Sequence, residues 1–110
     1  MRKCSINIGD KDYTIQVNRE SIIWLEARGF NIEEFAKKPI TYIDIVWNAG
    51  FLVNHSDTIN PKLALKLMET YKEEGGDVME VVNFVLEEYQ SFISALSDTK
   101  LKKKATITEA

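Results

Sequence analysis

The spacing of apolar and polar positions changes rhythm along this chain, and the changes mark its elements. Between Arg2 and Ile8 the two kinds alternate, with Cys4, Ile6 and Ile8 on one side and Lys3, Ser5 and Asn7 on the other. The cluster Gly9-Asp10-Lys11-Asp12 interrupts the run, and Tyr13, Ile15 and Val17 then alternate with Thr14 and Gln16. Two period-two runs joined by a Gly/Asp turn predict a β-hairpin. An isolated hairpin is marginal in water, so its apolar side must rest on helices. The pattern offers no third strand, and at least one strand edge is expected to be free to pair with another chain.

Beyond the hairpin the period is helical. The densest stretch runs from Ile40 to Val53, where ten of fourteen residues are apolar. Its polar exceptions, Thr41, Asp44 and Asn48, with His55 one turn further on, fall along one narrow line of a helix. A helix apolar around most of its circumference is one that other elements surround. At roughly 21 Å by helical rise it is too short to cross a bilayer. It is therefore expected to be the central core helix, with Trp47 as its largest plug. Gly50, one turn from Trp47, is expected to let a neighbouring backbone come close.

Other helices surround it. Asn18 is a good N-cap for the segment reaching Arg28, and Gly29 is a good stop. Ile22 and Leu25 share the inward face there, while Trp24 points elsewhere, either over the hairpin or outward as an anchor for a partner. Phe30, Ile32 and Phe35 fit a short helical turn, which Lys37-Lys38-Pro39 breaks. Asn60-Pro61 starts a helix to Glu74 with Leu63, Ala64, Leu67, Met68 and Tyr71 on one face, and Gly75-Gly76 ends it. The last helix, Asp77 to about Leu96, repeats Val78, Val82, Val85, Tyr89, Phe92 and Leu96 at steps of four and three. Met79, Leu86 and Ile93 widen that face and Val81 borders it. Phe84 lies off the arc among Glu80, Glu87, Glu88 and Ser91, the position of an exposed contact. The fold class is thus α+β, mostly α: an N-terminal hairpin packed on four to five helices over residues 1–97. Residues 98–110 are expected to be a disordered basic tail.

Composition narrows the function. A chain of 110 residues is one domain, and its single cysteine, Cys4, excludes an internal disulfide and fits a reducing, cytoplasmic compartment. Arg2 and Lys3 lead into alternation, which is no signal peptide. The net charge is −3, and four lysines (Lys100, Lys102, Lys103, Lys104) lie in the last eleven residues. No Lys or Arg occurs from Glu73 to Thr99, so a helix-turn-helix reading of the last two helices would present glutamates to phosphates. Gly75-Gly76 lacks the context of a phosphate loop. His55 is the sole histidine, so no His/Cys zinc set can form; a Cys4–His55 dyad would need a geometry that spacing does not show, and the two read as a small hydrophobe in a strand and a loop histidine. The pairs Glu33-Glu34, Glu73-Glu74 and Glu87-Glu88 diverge by about 100° on a helix and read as solvated faces. No catalytic, cofactor or metal-binding residue is assigned.

One resemblance sharpens the picture. The order of features is hairpin, Asn-capped helix, Ile45-Val46-Trp47-Asn48-Ala49-Gly50-Phe51-Leu52, Asn60-Pro61-Lys62-Leu63-Ala64-Leu65, Gly75-Gly76-Asp77 and Val78-Met79-Glu80-Val81-Val82-Asn83-Phe84-Val85. Over roughly residues 4–96 it resembles the short tail assembly chaperones of long-tailed bacteriophages and prophages, in the form made before a ribosomal frameshift. Where that family commonly has Trp-Ala-Gly, this chain has Trp47-Asn48-Ala49-Gly50. The resemblance implies a protein of the host bacterial cytoplasm that catalyses nothing and binds the tape measure and tail tube proteins. Lys102-Lys103-Lys104 sits where an A-rich slippery run would be expected. Trp24, Phe30 and Phe84 are the candidate partner-binding residues, with self-association left open. No small-molecule substrate, membrane or nucleic acid is expected as a partner. The alternative is a small helical adaptor or regulator, nucleic-acid-associated forms included.

Overall fold

The computed structural model describes residues 2–97. The expected tail, 98–110, lies outside them. Strands β1 (Cys4–Ile8) and β2 (Lys11–Ile15) pair antiparallel, with Cys4 opposite Ile15 and Ile8 opposite Lys11. Six helices follow: α1 (Arg19–Ala27), α2 (Ile32–Lys37), α3 (Pro39–Ala49), α4 (Leu52–His55), α5 (Pro61–Glu73) and α6 (Val78–Ser97). The fold is α+β and mostly helical, as the periodicities predict. The extra helix arises because the expected central helix is split at Gly50-Phe51.

That split organises the molecule. The Phe51 N–H bonds the Asn48 carbonyl at 3.0 Å, a tightened turn, and the Gly50 carbonyl accepts the Gln16 N–H at 3.1 Å. A Cβ on Gly50 would lie 2.7 Å from Ile15 Cγ2 and 3.2 Å from Val85 Cγ2. Glycine is what lets the end of β2 and α6 close on the helix at this point, the close approach expected from the sequence. Around it Ile15, Val17, Leu25, Trp47, Phe51, Val82 and Val85 form a sealed core. The Trp47 indole N–H donates to the Ala64 carbonyl at 2.8 Å, so the one polar atom of this ring is satisfied inside the core.

The N-terminal half of α3 is different. Only Val46 to Ala49 of this helix are buried, Ile43 and Ile45 are half-exposed, and Ile40 is 78 % exposed. The helix is therefore a core element at one end and a surface element at the other, which corrects the expectation of a helix surrounded throughout. Proline at its first position explains why it starts where no side chain caps it.

Helix ends follow their sequence signals closely. Asn18 and Ser21 form a reciprocal capping box on α1. At the other end the Gly29 N–H bonds Glu26 O and the Phe30 N–H bonds Leu25 O, with Gly29 at φ +79°. This is a Schellman stop, and the apolar residue after its glycine characteristically folds back on the helix. The same motif closes α5, with Gly75 at φ +89° and the Gly76 N–H on Tyr71 O. On α6 the buried arc is rotated from the expected one. Val81 and Glu88 are buried, whereas Met79, Ile93 and Leu96 are exposed. At Glu88 the partner is Arg2, whose backbone N–H and Nε donate to the carboxylate at 2.9 and 3.0 Å and hold the start of the chain against this side of the helix. Glu88, 6 % exposed, is thus no solvated glutamate.

One hairpin edge is covered. The Thr14 N–H of β2 donates to His55 Nε2 at 3.0 Å, and the ring packs edge-on to Tyr13. An accepting Nε2 is an unprotonated one. Burial first, and Lys11 second, push the His55 pKa below its ordinary value. The unfolded chain then holds the extra proton below about pH 6.5, so this contribution to stability is complete above that pH and lost as pH falls through the lowered value. Chemical denaturation is expected to show that loss in the wild type, and His55→Gln is expected to flatten it at a cost of about 1 kcal/mol near neutrality. An unchanged pH profile in the variant would contradict the assignment. On the hairpin face away from the core, Ser5 and Asn7 of β1 and Lys3 just before it are exposed.

Candidate protein-docking surface

Helices α3 and α5 run antiparallel, and their seam carries open apolar surface. Trp47 near the end of α3 bonds Ala64 near the start of α5. Ile40 at the start of α3 shares a cleft with Met68 and Lys72 toward the end of α5. From α5 the seam is edged by Pro61, Leu65, Met68 and Lys72, steps of four, three and four that place all of them on one stripe. That stripe is about 16 Å long by helical rise, three turns of helix.

Two clefts open along it. The first, of about 140 Å³, is lined by Trp24, Ile45, Asn48, Pro61 and Leu65, with Arg28 at its rim. The second, of about 470 Å³, is lined by Ile40, Ile43, Met68, Val78 and Met79. Leu65 and Met79 are each 40 % exposed, so apolar side chains here face solvent directly. Asp44 lines both clefts and sits between them. Among the described residues no cation pairs with its carboxylate and no donor bonds it, and burial pushes its pKa above the ordinary carboxylate value. One turn later Asn48 is buried, 4 % exposed, with Oδ1 unpartnered. Both groups cost the isolated fold free energy, since neither gains back the hydration it gives up.

The three aromatics singled out by the sequence pattern have separate fates. Trp24 is half-buried, and the Arg28 guanidinium stacks 3.7 Å from its ring centroid while Nη1 bonds the Trp24 carbonyl. It lies between the seam and a further cleft toward Leu52 and Val53, because α1 packs on α3 and α4. Phe84 is also half-buried, against the core with Arg2 5.2 Å over its ring. Phe30 is a correction. It is 3 % exposed, held edge-on to Tyr89 at 5.2 Å and Tyr42 at 5.9 Å, because the Schellman stop of α1 turns it inward. An internal ring cannot meet a partner. Leu63, expected to face inward, is exposed at the edge of α5.

The reactive side chains are committed elsewhere. Burial, then Glu80, push the Cys4 thiol up, the reverse of what an activated nucleophile needs. His55 Nε2 is occupied by the Thr14 amide. Glu74 accepts from the Gly9 N–H, and Glu88 from Arg2. Among the described residues no group of three or more His, Cys, Asp or Glu side chains is placed to hold a metal ion. No helix among them is long and apolar enough to cross a membrane.

Fold and surface together define a small hairpin-and-helix protein with an open apolar seam as its most distinctive feature. The chain belongs to the family described as Domain of unknown function (DUF5055), whose model matches residues 2–110. Neither the curated proteins nor the solved structures gave a match to it.

Proposed function

We propose that this chain is a tail assembly chaperone of a long-tailed bacteriophage or prophage, acting in the host bacterial cytoplasm by protein–protein contact and without catalysis. The observation that supports docking is the open α3–α5 seam, where apolar side chains flank two clefts. The tail-assembly part rests on the order of sequence features described above. A chaperone must cover apolar stretches of its clients reversibly, and shallow clefts with half-exposed aliphatic side chains suit that task. Its clients on this reading are the tape measure and tail tube proteins, and the net charge of −3 helps keep the complexes dispersed.

Co-expression tests the reading. The long coiled-coil-rich protein encoded directly downstream is expected to be recovered mainly in the soluble fraction with this chain and mainly in the pellet without it. Equal recovery in both would count against the chaperone. Absence of any such reading frame in the neighbourhood would favour a helical adaptor instead.

A further inference from the structure

Asp44 is hard to explain as part of the fold alone. It is the only acidic residue between Glu34 and Asp57, it stands half-buried between two apolar clefts, and among the described residues no partner neutralises it. The side chains lining the seam around it are mostly apolar. Lys72 stands at the far end, where it disfavours a second cation, and Asp77 is already engaged as an acceptor of the Glu80 N–H. Arg28 is likewise committed, stacked on Trp24 and bonded to its carbonyl. The surface therefore has apolar side chains on both sides of one negative charge without a partner, with Lys72 at the far end, over a course of about three turns.

From this we infer that the α3–α5 seam receives an amphipathic helix of a partner protein, with a lysine or arginine at its centre seated on Asp44. A helix laid in a groove presents aliphatic anchors at i, i+3, i+4 and i+7, which matches a linear seam with a cleft on either side of a central point. A cation there would restore to Asp44 the electrostatic stabilisation that burial removed, and the aliphatic stem of a lysine or arginine would pack on the cleft walls. The inference rests on the docking reading above and adds to it the chemistry of the occupant.

The probe is a synthetic helical peptide of about fourteen residues, ~21 Å long, with leucines at those four spacings and a central lysine. Its twin carries glutamate in place of the lysine. Calorimetric titration into the full chain is expected to show the lysine peptide binding about tenfold more tightly than the twin at low salt. Asp44→Asn is expected to abolish that difference, and Asp57→Asn, an exposed acid away from the seam, to leave it intact. Because burial disfavours the Asp44 charge, Asp44→Asn is expected to fold at least as well as the wild type, which keeps the comparison clean. Equal affinity for both peptides, unaffected by Asp44→Asn yet lost in Leu65→Glu, would overturn the inference and leave the docking reading standing. No binding of either peptide would count against both. A dimer of the chain alone that Asp44→Lys dissolves would overturn it in favour of a second copy.

Discussion

Trp47→Ala is expected to destabilise the chain by about 3–5 kcal/mol, a large share of the 5–15 kcal/mol typical of a domain this size. The ring is fully buried, packs 5.3 Å from Phe51 and 5.8 Å from Tyr71, and ties α3 to α5 through its N–H. Alanine would leave a cavity where three elements meet. Trp47→Phe keeps most of the volume and gives up the hydrogen bond, so its expected cost is nearer 1–2 kcal/mol. Urea denaturation followed by circular dichroism distinguishes the two. Similar midpoints for both variants would mean that the core around Trp47 collapses readily.

The second large effect is expected at Gly50. At ordinary helical angles glycine to alanine stabilises a helix by about 0.5–1 kcal/mol. Gly50 has such angles, with φ −63° and ψ −22°. The new methyl would nonetheless meet Ile15 at 2.7 Å and Val85 at 3.2 Å, and both of those side chains are sealed in the core. Overpacking of this kind costs about 1–3 kcal/mol, so Gly50→Ala is expected to lower stability on balance and Gly50→Val to lower it further. A rise in melting temperature on Gly50→Ala would show that β2 has room to move away.

Much of the architecture is legible in the amino-acid sequence, for identifiable reasons. The hairpin follows from strict alternation around a Gly/Asp turn, and α1 and α5 from Asn caps whose side chains do accept the expected backbone bonds; α2 follows from its apolar spacing, and its Asn31 cap is seen only in the structure. The limits of α3 and the burial of Phe30 are less accessible. Apolar density around Ile40–Val53 signals a buried helix, but periodicity cannot say which end the other elements cover, and only the second half is enclosed. The residue after a Gly stop is a core position by the logic of the Schellman motif, a signal at Phe30 that apolar spacing alone passes over. Glu88 carries no local sign of burial, because its partner Arg2 lies 86 residues away.

The docking surface is half legible. Trp24 stands out in the sequence as a candidate anchor, and it does lie at the edge of the seam. Asp44 is visible as a charge inside an apolar run, yet its meaning depends on Pro61, Leu65, Met68 and Lys72 arriving from another helix. Leu65 and Ile40 look like core residues by hydropathy and are surface residues in space. An apolar residue left exposed by the packing of its neighbours cannot be recognised from its own segment.

Photo-crosslinking from the seam tests the account most directly. A benzophenone amino acid at Leu65, in cells that also make the client proposed above, is expected to give a crosslinked species containing both chains. The same group at Asp57 is expected to give none. Crosslinks from Asp57 as abundant as those from Leu65, or none from Leu65 while the two proteins still co-purify, would contradict docking at the α3–α5 seam.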